Sequence, residues 1–157
     1  MSDITQNINE QAREAERAVL GGLMLETERF DTVTPIINHE DFQGKDHQLI
    51  YESMFELIEE NKPLDPITVS EKLDNKNSLN KIGGKNYLIE LATSTPTAAN
   101  IEAYAEIIRQ RSITRQLMKT NSEIAELINN PQGQDGASLL NEAERKIFAL
   151  NEQANLS

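Results

Sequence analysis

Apolar residues recur at spacings of three and four along most of this chain, so its elements read as helices rather than strands. A first stretch runs through Ala12, Ala15, Val19 and Leu23, with Gly21 and Gly22 inside it. Each glycine weakens a helix by roughly 1 kcal/mol relative to alanine, so a pair in mid-helix implies close approach of another backbone. A short helix is expected over Arg29 to Ile37, where Pro35 is an obstacle. The next, over His47 to Asn61, places Ile50, Met54, Leu57 and Ile58 on one face before Lys62-Pro63 ends it. Asp65-Pro66 ahead of Ile67, Val69 and Leu73 marks another start, since Asp accepts from orphan amides and Pro is tolerated at the first helical position. Asn75 to Lys81 reads as a loop closed by Gly83-Gly84, and Tyr87, Leu88 and Leu91 make a short helix that must stop before Pro96.

After Thr97 one long helical pattern continues through Ile101, Tyr104, Ile108, Ile113, Leu117, Ile124 and Ile128. Asn129-Asn130-Pro131-Gln132-Gly133 breaks it, and a second arm follows with Leu140, Ala143, Ile147, Leu150 and Ala154 in alternating spacings of three and four. Two such arms joined by a short turn form an antiparallel hairpin. Met118, Ile113, Ile124, Leu127 and Ile128 do not fit one narrow stripe, so an oligomer or partner contact is expected there. The predicted fold is all-α: a flexible tail over residues 1–11, a globular helical head over 12–96 and a helical hairpin over 97–157.

Composition narrows this picture. The absence of Trp and the abundance of Leu, Ile and Ala predict an aliphatic helical core. Zero cysteines exclude disulfides and thiolate zinc sites, and no apolar run nears the roughly 20 residues of a membrane span, so a soluble cytoplasmic protein is expected. The net charge of -11 argues against a broad grip on nucleic acid. Residues 1 to 97 carry net -9 and residues 98 to 157 net -2, so the acidity sits in the head.

Candidate chemistry is sparse. Gly84-Lys85 fails as a phosphate loop, because position 79 is Leu and position 86 is Asn where Gly and Ser or Thr are needed. His39, Glu40, Asp41 and His47 lack helical zinc spacing; the preferred reading has His47 opening a helix and Asp41-Phe42 anchoring the loop before it. Glu14 and Glu16, like Glu59 and Glu60, read as helix-surface carboxylates. Arg109, Arg111, Arg115 and Lys119 form a basic band, read first as a solvated face offset by Glu102, Glu106 and Glu123, and second as a DNA contact.

One run is more specific than any of these: Gly83-Gly84, Tyr87-Leu88, Leu91, Pro96, Asn100 and Tyr104-Ala105. With Ala15-Glu16, Val19-Leu20-Gly21, Leu23, Asp41-Phe42, His47, Tyr51, Asp65, Arg115 and Ile147-Phe148, its order and spacing resemble the N-terminal domain of bacterial replicative DNA helicases of the DnaB type. The resemblance implies an all-helical scaffold rather than a catalyst. In that family hairpins pair between subunits, and three pairs build a collar above a hexamer of ATPase motors. The collar recruits the helicase-binding C-terminal domain of primase. A helicase loader is a further implied partner, and DNA is engaged only through the full ring. On matching positions the family suggests Glu14 and Tyr87 on the head, and Met118 and Ile124 on the hairpin, near the primase site. Self-association is assigned to Ile113, Leu117, Ile124, Ile128, Leu140 and Ile147. No cofactor is expected for these residues, with ATP and magnesium belonging to a motor domain that they do not contain. This chain departs from many relatives in having Gln6-Asn7-Ile8-Asn9 where prolines precede the first helix, and Gln43-Gly44 where an aromatic often follows Asp-Phe.

The leading expectation is therefore an assembly and primase-recruitment module. Its rivals are a freestanding helical adaptor that uses the hairpin for another partner and, further off, a small metal-dependent hydrolase.

Overall fold

The computed structural model describes residues Ser2–Asn155, with side chains described from Glu10 onward. Among them seven α-helices and three short 3-10 turns account for the regular structure, without strands. The helices are α1 (Ser2–Leu25), α2 (Phe30–Val33), α3 (Lys45–Glu59), α4 (Pro66–Asn75), α5 (Gly84–Ser94), α6 (Ile101–Asn129) and α7 (Gly136–Asn155). None is long and apolar enough to cross a membrane. The chain divides into two compact units, Met1–Arg109 and Gln110–Ser157, with α6 contributing residues to both. The tail expected over residues 1–11 falls mostly outside the described side chains; Glu10 and Gln11 are exposed on α1.

The first unit is organised around α1. Val19, Leu20 and Leu23 from α1 pack with Ile50, Tyr51 and Met54 of α3, Val69 and Leu73 of α4, and Leu88 and Leu91 of α5 in one buried cluster. Ile101, Ala105 and Ile108 join it, so the start of α6 belongs to this unit rather than to a hairpin beginning at residue 97. The core is mainly aliphatic, but the few aromatics gather in it. Tyr51 stacks on Phe30 at 5.4 Å and meets Phe42 at 5.0 Å between ring centroids.

Local sequence explains the punctuation. Gly21 allows α1 to lie against α5: a Cβ there would run into the Leu91 carbonyl and the Thr95 side chain, which is the close approach inferred from the glycine pair. Asp65 caps α4, accepting from Thr68 N–H at 2.8 Å while the Thr68 hydroxyl accepts from Asp65 N–H, and Pro66 occupies the first helical turn. The segment Arg29 to Ile37 is helical only at Phe30–Val33, after a 3-10 turn at Thr27–Arg29, because Pro35 has no N–H to continue the ladder. Within the expected Asn75 to Lys81 loop, helix α4 reaches Asn75 and a 3-10 turn (Leu79–Ile82) buries Ile82. Gly83 then adopts φ +98°, a left-handed conformation suited to glycine, before α5 begins.

The second unit pairs the rest of α6 with α7. Left-handed Gln132 and Gly133 turn the chain between them, and Asp135 accepts from Ser138 N–H at 2.9 Å at the start of α7. No residue of α7 is buried.

Candidate functional site

On the first unit, polar side chains from three helices converge where the apolar face of α1 is interrupted. Glu16 lies between Ala12 and Val19 on that face and is only 2% exposed. Gln43 N–H donates to its Oε2 at 2.6 Å, and its Oε1 lies 2.6 Å from Nδ1 of the fully buried His47 on α3. The other ring nitrogen, Nε2, lies 2.6 Å from the Tyr87 hydroxyl on α5. Arg13, one turn before Glu16, donates to that hydroxyl at 3.2 Å and to Asp46 Oδ2 at 2.8 Å. Tyr87 is half-buried, and its phenol is pushed above its usual range chiefly by burial. Burial also acts to raise Asp46, but the Arg13 hydrogen bond, with the His47 backbone N–H donating to Oδ1 at 2.8 Å, outweighs this and holds the carboxyl below its usual value.

Glu14 points elsewhere on the same unit. It is exposed and lines a crevice of about 340 Å³ with Arg17, Thr95, Pro96, Asn100 and Tyr104. Arg17 reaches from this crevice to Glu90 on α5 at 3.1 Å. Glu14 and Tyr87 thus flank the α1–α5 seam, where Arg13 pairs with the partly buried Asp46 and Arg17 with the exposed Glu90.

The second unit carries a different surface. Met118 is exposed and Ile124 half-buried on α6. Leu117, Ile128, Leu140 and Ile147 are exposed, while Ile113 is half-buried. Ile113, Leu117, Ala143, Ile147, Phe148 and Leu150 line an open apolar groove of about 600 Å³. Apolar side chains of both helix segments are thus left open to solvent on this unit.

Several sequence readings need correction. Arg109 does not belong to a solvated basic band: it is 8% exposed and donates to Asp41 Oδ1 at 3.0 Å, because Asp41 is itself buried and requires compensation. Glu16 is not a helix-surface carboxylate, since its place on the apolar face of α1 carries it inside. That position, four residues after Ala12 and three before Val19, was the available signal for it. The candidate metal group is divided among separate tasks. Asp41 holds Arg109, His47 joins Glu16 and Tyr87, and His39 lies 3.6 Å from Glu52. The preferred reading of Asp41-Phe42 as a loop anchor is met, with Asp41 also accepting from Asn38 N–H at 2.9 Å.

Residues 8–110 match the family model for the DnaB-like helicase N terminal domain. The replicative DNA helicase DnaB of Buchnera aphidicola subsp. Baizongia pistaciae is 42% identical over 140 residues, covering 89% of this chain and 30% of the relative. The solved N-terminal domain of DnaB helicase from Mycobacterium tuberculosis superimposes with a TM-score of 0.81 at 31% identity, over 86% of this chain and 94% of that one. The N-terminal domain from Helicobacter pylori, solved in a study of its interactions with primase, gives 0.69 at 26% identity, over 80% and 97% of the two chains. The chain spans about a third of the length of the curated relatives it matches. A family match over residues 8–110, which form this core and this seam, together with the fold shared with a solved N-terminal domain, means that the chain belongs to the DnaB-like helicase N-terminal domain family.

Proposed function

We propose that this chain is the non-catalytic assembly and primase-recruitment domain of a cytoplasmic replicative DNA helicase. The observation that carries the reading is the unsatisfied apolar surface of the second unit, where Leu117, Met118, Ile128, Leu140 and Phe148 are all exposed. A hairpin with this much apolar surface on show suits pairing with a second hairpin, as in a trimer-of-dimers collar. ATP and magnesium would act in a motor domain, and DNA would be met through the assembled ring. Primase is the proposed partner at Glu14 and Tyr87 on the first unit and at Met118 and Ile124 on the second, and a loader is a further one. Tyr87 supplies an aromatic body with a polar tip and Met118 an adaptable apolar contact, both suited to protein recognition.

Calorimetry against the cognate primase C-terminal domain tests recruitment. Saturable binding that is weakened by Tyr87→Ala and Met118→Ala, with helical content and melting temperature kept, supports it; no binding at high concentration rejects it. Sedimentation tests assembly: a concentration-dependent dimer should be lost in Ile124→Asp, because a carboxylate without a partner in an apolar contact costs several kcal/mol. A chain that stays monomeric at high concentration removes the hairpin from assembly.

A further inference from the structure

The hydrogen bonds around Tyr87 have a direction. Glu16 receives Gln43 N–H at Oε2, and Gly44 N–H lies 3.4 Å from Oε1, so its carboxylate is engaged as an acceptor. An acceptor opposite Nδ1 of His47, at 2.6 Å, requires the proton on Nδ1. In the neutral ring Nε2 is then an acceptor, and the Tyr87 hydroxyl at 2.6 Å must donate to it. Arg13 can only donate, and takes one lone pair of the Tyr87 oxygen. The second lone pair is what the hydroxyl has left to offer.

We propose that the buried Glu16–His47 pair is a positioning relay that presents the Tyr87 hydroxyl to a docking protein as a hydrogen-bond acceptor, so that the partner must supply a donor there. The proposal rests on the reading of Tyr87 as part of the recruitment surface. Its chemistry resembles the fixing of a metal-bound histidine by a carboxylate behind it, with a phenol in place of the metal. The groups facing the ring are Glu16 and Arg13 from α1, Tyr87 from α5 and Asp46 from its own helix; Arg17 and Glu90 pair nearby along the seam. Were the ring to gain a second proton, Nε2 would donate instead. Both lone pairs of the Tyr87 oxygen would then be occupied and its own O–H would turn outward, converting the exposed function from acceptor to donor.

Glu16→Gln imposes the same reversal without changing shape. The amide oxygen, at the place of Oε2, can keep Gln43, while the NH2, at the place of Oε1, gives up the long Gly44 contact, donates to Nδ1 and drives the proton to Nε2. Long-range nitrogen-15 NMR of His47 in the 157-residue chain should show Nδ1–H in the wild type and Nε2–H in Glu16→Gln. Affinity for the cognate primase C-terminal domain should fall about tenfold in Glu16→Gln and by a similar factor in Tyr87→Phe, the weight of one hydrogen bond. An unchanged tautomer overturns the relay. A switched tautomer with wild-type affinity, alongside weakened Tyr87→Phe, shows that the hydroxyl is read without regard to polarity and also overturns it. If Glu16→Gln does not fold, Tyr87→Phe decides: the Nε2 resonance must shift as its donor is lost and affinity must fall, and failure of either overturns the proposal. Absence of binding by the wild type rejects the recruitment reading instead, and the tautomer comparison then decides the relay alone.

Discussion

Leu20, Leu23, Met54 and Leu88 of the first unit are sealed from solvent, whereas Leu117, Ile128, Leu140 and Phe148 of the second keep about half or more of their surface exposed. Both sets lie at helical spacing, and the residue types are alike. In the first unit six helices converge, counting the start of α6, so each apolar face meets several others. In the second only two helix segments are available, and its buried residues are the polar Ser112 and Thr120. Periodicity therefore reports which residues want to be covered, while the number of neighbouring elements decides whether one chain can cover them.

The sharpest way to break this contrast is a matched pair of truncations. Leu20→Ala should cost about 2–5 kcal/mol of unfolding free energy in urea, because the site cannot collapse around the lost atoms. Leu140→Ala should cost less than about 0.5 kcal/mol in dilute solution and act instead on self-association measured by sedimentation. Equal losses would mean that the hairpin has a core of its own. Arg109→Ala comes next: removing one member of a buried pair should cost about 3 kcal/mol by the same urea measurement, whereas Lys119→Ala, on an exposed position, should cost almost nothing.

What the sequence made legible follows the same division. Helical spacing, the Asp65-Pro66 start, the break at Pro131 and the Gly21 approach are all local or nearly local statements, and all appear in the structure. The polar network was not legible as a network, because its members are separated by 31 and 40 residues, even though the spacing from Ala12 to Val19 turns Glu16 inward. Arg109 misled for the same reason: its partner Asp41 is 68 residues away, while its neighbours Arg111 and Arg115 suggested a band. The proposed docking residues Glu14 and Tyr87 came from resemblance, and the structure adds what stands behind Tyr87.

A finer test concerns helix approach. Gly21→Ala should destabilise the first unit by about 1–3 kcal/mol in thermal or urea unfolding, because the methyl meets the Leu91 backbone as well as a side chain; Gly136→Ala, in open space at the start of α7, should be neutral or mildly stabilising.

The smallest effect is electrostatic. The Asp46 carboxyl is held below its ordinary value in the folded chain, so it contributes stability that is present above the unfolded pKa and is lost as pH falls through the folded one. The melting temperature of the wild type should therefore fall more steeply than that of Asp46→Asn as pH drops below about 4, near the unperturbed carboxylate value. Parallel curves would assign the acid sensitivity to other carboxylates.

The missing side chain at Gly21 also acts as a spacing gauge for recognition. Residue 21 lies on the helix that carries Arg13 and Glu16, and it rests against the helix that carries Tyr87. Hydrogen bonds of 2.6 Å tolerate only a few tenths of an ångström of drift, less than the displacement that a single methyl group would force between two packed helices. The precision of the polar seam is thus set more than a turn away, by an atom that the chain leaves out.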